Sequence, residues 1–182
     1  MMLFRACFHS AALASIVLTG CAIAPPDGPP SVEQLAGAVY TGIYDEPVQL
    51  SDGVYEGRPF VPGGASRPTV QLLEAPTATG ELDDRPGQEA AVLLVENSGG
   101  SGSFVYLAVV GLQNGEAINL GTAWIGDRSR VEAISIEGSR IRLELLEHGP
   151  GDPACCPSRE AEQSWVFRDG GLVRVANVDP GD

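Results

Sequence analysis

Lysine is missing from the 182-residue chain: all eleven basic residues are arginine, set against 24 aspartates and glutamates. That excludes lysine-based chemistry such as Schiff-base formation. The formal charge of −13 at pH 7 repels nucleic-acid phosphates and anionic headgroups, so no nucleic-acid partner is expected, while cations and basic partners stay open. Histidine is scarce, with only His9 and His148, and no Gly-x-Ser-x-Gly elbow occurs. Nucleophilic triads are thereby nearly removed. Gly99-Gly100-Ser101-Gly102 is not followed by Lys-Ser/Thr, which excludes a phosphate-binding P-loop. Long apolar runs are also missing. The run from Ala11 to Leu18 is far shorter than the ~20 residues that cross a bilayer as a helix.

That short run is nevertheless informative, because Arg5 precedes it and small residues follow it, the order of parts in an export signal. At its end, Leu18-Thr19-Gly20-Cys21 resembles the bacterial lipobox. The resemblance implies that residues 1–20 are a signal peptide, that cleavage precedes Cys21, and that the Cys21 sulfur carries diacylglycerol with palmitate-type chains. Each buried methylene contributes about 0.8 kcal/mol, so two or three chains attach a water-soluble domain durably to a membrane. Ala22, where aspartate would favour inner-membrane retention, implies delivery to the outer membrane, facing the periplasm. Removing 20 residues leaves 162 and, with Arg5 gone, a charge of −14.

Downstream of Cys21, residues 22–32 hold four prolines and no periodic apolar pattern, as in an extended polyproline tether. Ser31 with Gln34 three residues later has the form of a capping box, predicting one short helix. The organisation expected is signal peptide 1–20, lipidated tether 21–36, a single β domain 37–178 and a tail 179–182.

Beyond the tether, apolar residues recur with a period near two, punctuated by turn residues. Strands are expected at Val39–Tyr44, Val48–Leu50 and Val54–Glu56 around Ser51-Asp52-Gly53, Thr69–Glu74, Ala90–Glu96, Phe104–Leu112, Ala117–Ile125, Val131–Ile136, Ile141–Leu146, Ser164–Arg168 and Leu172–Val175. Asn114-Gly115 is the strongest turn signal, since both residues tolerate positive φ. Ala91–Val95 and Val105–Leu112 are apolar on both faces, as central strands are. The fold class expected is all-β, mainly an antiparallel meander forming a sandwich or partial barrel, with one short N-terminal helix.

Two loops carry chemistry-bearing residues. Gly80–Val92 resembles the calcium loop of FG-GAP and related repeats, which implies Glu81, Asp83 and Glu89 at ligand positions; calcium takes about six to eight oxygens at about 2.3–2.6 Å. Arg85 falls where a third acid belongs and Pro86 replaces the turn glycine. A guanidinium there pairs with the remaining carboxylates, so no metal and no cofactor is expected. The second loop contains Asp152-Pro153-Ala154-Cys155-Cys156-Pro157-Ser158, similar to a motif of bacterial envelope lipoproteins of unassigned function, a likeness spread thinly over residues 80–165. With Cys7 in the leader and Cys21 lipidated, Cys155 and Cys156 remain. Adjacent thiols in an oxidising compartment close a vicinal disulfide, stay free, or hold a soft metal; the disulfide is the expected state. Trp124, Trp165 and the tyrosines suit either a groove or a core.

The expectation is a membrane-anchored envelope lipoprotein that is not an enzyme, a binding or structural module with an envelope protein as possible partner. The alternatives are a cation or redox sensor using either loop and, from pairs such as Glu144 with Glu147, a carboxylate-based hydrolase.

Overall fold

The structure, a computed structural model, describes residues 28–83 and 85–177. Leu18, Thr19, Gly20, Cys21 and Asp84 lie outside the described residues. The chain enters through α1 (Val32–Ala36), where the Ser31 hydroxyl accepts from the Gln34 backbone and the Gln34 side chain accepts from the Ser31 N–H, completing the capping box. Leu35 is buried and the Gln34 amide donates to the Gly115 carbonyl at 2.8 Å. The stretch assigned to the tether therefore includes a docked helix.

β1 (Val39–Tyr40) and β2 (Val48–Gln49) form a two-stranded ribbon. The large sheet holds β3 (Val54–Glu56), β4 (Thr69–Leu72), β5 (Ala78–Gly80), β6 (Glu89–Asn97), β7 (Phe104–Gln113) and β8 (Glu116–Asp127). Its order is β3-β4-β6-β7-β8, with β5 also on β6. The small sheet holds β9 (Arg130–Glu137), β10 (Arg140–Glu147), β11 (Arg159–Arg168) and β12 (Gly171–Val175), in the order β12-β11-β10-β9. Among the described residues every strand pairing is antiparallel and the sheets are open rather than closed into a barrel. The all-β, largely meandering architecture is as the sequence period indicates.

Asn114 (φ 53°) and Gly115 (φ 83°) make a two-residue turn joining Gln113 to its partner Glu116, because I′ turns match strand twist and require positive φ at both positions. Gly138-Ser139 and Asp169-Gly170 do the same. Ser51-Asp52-Gly53 corrects one expectation. It turns tightly, with Ser51 bridged to Val54, but pairing stops there. β2 pairs with β1 and β3 with β4. The Leu50 N–H goes to the Ala38 carbonyl (3.1 Å) and Gly53 N–H to Ala36 (2.8 Å), which sends the two arms into different layers.

β6 and β7 are buried on both faces, giving three layers. Ala91, Leu93, Leu107 and Val109 face Ile141, Leu143 and Trp165 of the small sheet. Ala90, Val92, Leu94, Ala108 and Val110 face Leu35, Ala38, Tyr40, Val48 and Leu50 of the N-terminal layer. Tyr40 is fully buried and its hydroxyl donates to the Leu35 carbonyl at 3.0 Å, satisfying one orphan acceptor at the end of α1. Each fully buried leucine contributes about 1.5–3 kcal/mol.

Strand directions give the sandwich two ends. The entry end carries Gly28, residues 81–83 and 85–88, and the Asn114-Gly115, Gly138-Ser139 and Asp169-Gly170 turns. The distal end carries loop 98–103, the β8–β9 connection and the 148–158 loop.

Candidate functional site

At the distal end, residues of both sheets line an open, shallow cleft of about 650 Å³. Its floor is Leu93, Val95, Val105 and Val131, and its rim holds Arg128, Arg130 and Cys155. The volume falls within the ~300–1,000 Å³ of small-molecule sites, which pair apolar walls with a few polar groups. Arg128 shapes the rim from a positive-φ position (φ 53°). Its guanidinium donates to the Ser101 carbonyl from Nε (3.1 Å) and Nη2 (2.6 Å), and to Asp127 from Nη1 (2.8 Å). Loop 98–103, which its glycines would leave loose, is braced further by Asn97: its Oδ1 accepts from the Gly99 N–H (2.7 Å) and its Nδ2 donates to the Gly102 carbonyl (2.9 Å).

Beside the cleft, Cys155 and Cys156 are exposed and their sulfurs are bonded. The rest of the motif explains how the loop is held. Asp152 Oδ2 accepts from the backbone N–H groups of Gly149 (2.8 Å) and Ser158 (2.8 Å), and its Oδ1 accepts from the Ser158 hydroxyl (2.7 Å). The N–H of Cys156 donates to Pro153 at 2.9 Å, closing a turn inside that clamp. Bonds from Gly149 and then Ser158 to the ionised form hold the Asp152 carboxyl below its ordinary value. His148 Nε2 is buried with no hydrogen-bond partner among the described residues.

Set against protein-family models, curated proteins and solved structures, the chain matches none.

The acidic loop lies at the opposite, entry end. Among the described residues Asp83 is engaged by Arg85: its Oδ1 accepts from the Arg85 N–H (2.8 Å) and its Oδ2 from Nε (2.7 Å). Burial pushes the Asp83 carboxyl up, but these bonds outweigh it and hold the group low. The guanidinium thus pairs with a loop carboxylate as the sequence suggested. Glu89 is elsewhere engaged, its Oε2 accepting from the Leu82 N–H at 2.8 Å. Among the described residues no three His, Cys, Asp or Glu side chains converge as metal ligands. Glu144 is exposed, whereas Glu147 accepts from Arg159 (2.7 Å) and Gln163 (2.8 Å).

The tryptophans divide. Trp165 is 7% exposed in the inter-sheet core, whereas Trp124 is 56% exposed on β8. On the same sheet stands a residue that sequence reasoning passed over: Glu96 is 3% exposed, accepting from the Tyr44 hydroxyl at 2.8 Å and from the Ser98 hydroxyl. Parity in the sequence carries the signal, because Ala90, Val92, Leu94 and Glu96 share one face of β6.

Proposed function

We propose that the chain is an envelope lipoprotein, held to a membrane through a lipidated Cys21, that acts as a non-enzymatic binding module with its distal end as the working surface. The observation carrying this reading is the separation of the two ends. Gly28 lies beside Pro86 and Gln113 at the entry end, whereas the cleft, the Cys155–Cys156 loop and Trp124 lie at the other. Gly28 stands seven positions after Cys21, a reach of about 20–25 Å when extended. The ten residues of β7 span about 34 Å more. Such a geometry turns the distal loops outward from the bilayer, toward an envelope partner or a small ligand. The exposed disulfide suits the oxidising compartment that the export signal implies, and Ala22 suits an outer-membrane position facing the periplasm.

Metabolic labelling with palmitate tests the anchor. Label is expected in the full-length protein and in the membrane fraction, and neither in Cys21→Ser; equal labelling or unchanged fractionation of Cys21→Ser overturns the reading. A second reading, redox sensing at Cys155–Cys156, is supported by the exposure of both cysteines on a loop clamped independently by Asp152. Alkylation and mass measurement of protein from oxidised and reduced cells would separate it, since a sensor shows two populations.

A further inference from the structure

We propose that the distal cleft binds an organic anion with an aliphatic body, its charge held by Arg130 and Arg128 and its body laid on the apolar floor between the sheets. This names a ligand class for the distal end and rests on the preceding reading for location only. Palmitate labelling reads the anchor and not the cleft, so the two fail separately.

The floor is the inter-sheet core reaching the surface. On this flank β5 meets β9 at Gly80 and Ile136. The cleft opens on the distal side of that contact, with Leu73 and Ala75 on one lip and Ser129, Arg130 and Val131 on the other. Leu93, Val105 and Val131 belong to the buried core cluster, and half-buried Val95 packs against it. All four are aliphatic, and covering them removes apolar surface from water, which favours a ligand with an apolar body.

Charge along the lining has one sign. The chain has 24 aspartates and glutamates, yet among the described residues none lines the cleft, whereas Arg128 and Arg130 do, with Ser101, Ser103 and Ser129. Arg130 is the available cation. Its Nη2 donates to Glu132 at 2.8 Å, and among the described residues its Nε and Nη1 have no partner. That pair is exposed, 67% for Arg130 and 51% for Glu132, and so exposed an ion pair contributes little; a ligand carboxylate therefore competes for the guanidinium. Arg128 is the fixed cation. Its bonds to Ser101 and Asp127 hold the guanidinium in place and leave a second N–H on each Nη. Asp127 is itself occupied, by that guanidinium and by the Ser103 N–H at 3.0 Å.

The chain as a whole favours the opposite ligand. Its −13 charge attracts cations and repels anions, so a preference for an anion can arise only from the lining itself. Guanidinium groups hold a carboxylate through paired N–H donors. A small inorganic anion would leave the floor uncovered, and an uncharged chain would leave the arginines unanswered. An aliphatic carboxylate meets both.

The test is a calorimetric titration of sodium octanoate into the full-length protein in phosphatidylcholine nanodiscs, with empty nanodiscs as the blank. Saturable binding is expected, weaker by about tenfold or more for acetate, for octanamide and for octylammonium, and weakened about fivefold or more in Arg130→Gln. No saturation up to about 50 mM octanoate, acetate, octanamide or octylammonium bound as tightly as octanoate, or undiminished binding in Arg130→Gln would overturn the proposal. The ligand series is read on the unaltered chain, which keeps the test decisive if the variant does not fold.

Discussion

Glu89 is 4% exposed at the start of β6, and its Oε2 accepts from the Leu82 N–H at 2.8 Å. Burial, opposed by that bond, raises its carboxyl above the ordinary 4.5, with Asp83 and Glu81 adding repulsion. A group raised in the folded state favours folding while protonated, so its contribution falls as pH rises from 4.5 through the raised value. Glu89→Gln, which preserves an acceptor for Leu82, is expected to flatten that decline and to be at least as stable as the parent at pH 7. Urea unfolding at several pH values checks it. Asp152 has the opposite sign. Its carboxyl is held low, so its contribution is present above the ordinary 3.8 and lost as pH falls through the lowered value. Asp152→Ala removes the acceptor of two backbone N–H groups and one hydroxyl. Faster amide exchange at Gly149 and Ser158, with the rest of the small sheet unchanged, is the expected result.

Close approaches join the elements where the two sheets meet. A Cβ on Gly80 of β5 would lie 2.7 Å from Ile136 Cγ2 of β9, so glycine is what permits that contact. Gly80→Ala is expected to cost about 1–3 kcal/mol, as overpacking does, and Ile136→Ala in that background should recover part of it. A double-mutant cycle by urea unfolding measures the coupling. β5 itself was illegible in the sequence, because Ala78-Thr79-Gly80 offers no apolar alternation and forms only where β6 leaves an edge free. The polar first half of β11, Arg159-Glu160-Ala161-Glu162-Gln163, hid in the same way. Its residues pair with β10 residue for residue, yet only Arg159 and Glu160 are exposed, and Gln163 is buried with its amide donating to Glu147. By contrast, β6, β7, the Asn114-Gly115 turn and the Ser31 cap were legible, since each rests on a local pattern. The distal site was half legible. Cys155 and Cys156 stood out by type, whereas Glu96 and Tyr44 are 52 positions apart and only the folded register brings them together.

In the molecule as a whole, stability rests on two cores sharing β6 and β7, and the disulfide adds almost nothing to it. A bond between neighbouring residues closes no chain loop, and loop closure is the source of most disulfide stabilisation. Reduction is therefore expected to leave the urea midpoint unchanged within error. Leu107→Ala, in the inter-sheet core with no exposed surface, is expected to cost about 2–5 kcal/mol in the same measurement. The docking of α1 has a mechanical consequence. Any tension between an anchored Cys21 and a partner seated on the distal loops would enter the domain at Gly28 and load a helix of five residues, pinned by buried Leu35, the Gln34 bond to Gly115, and the bonds that its last carbonyls accept from Tyr40 and Gly53. That helix would peel first, one contact at a time, lengthening the leash and sparing the sandwich behind it.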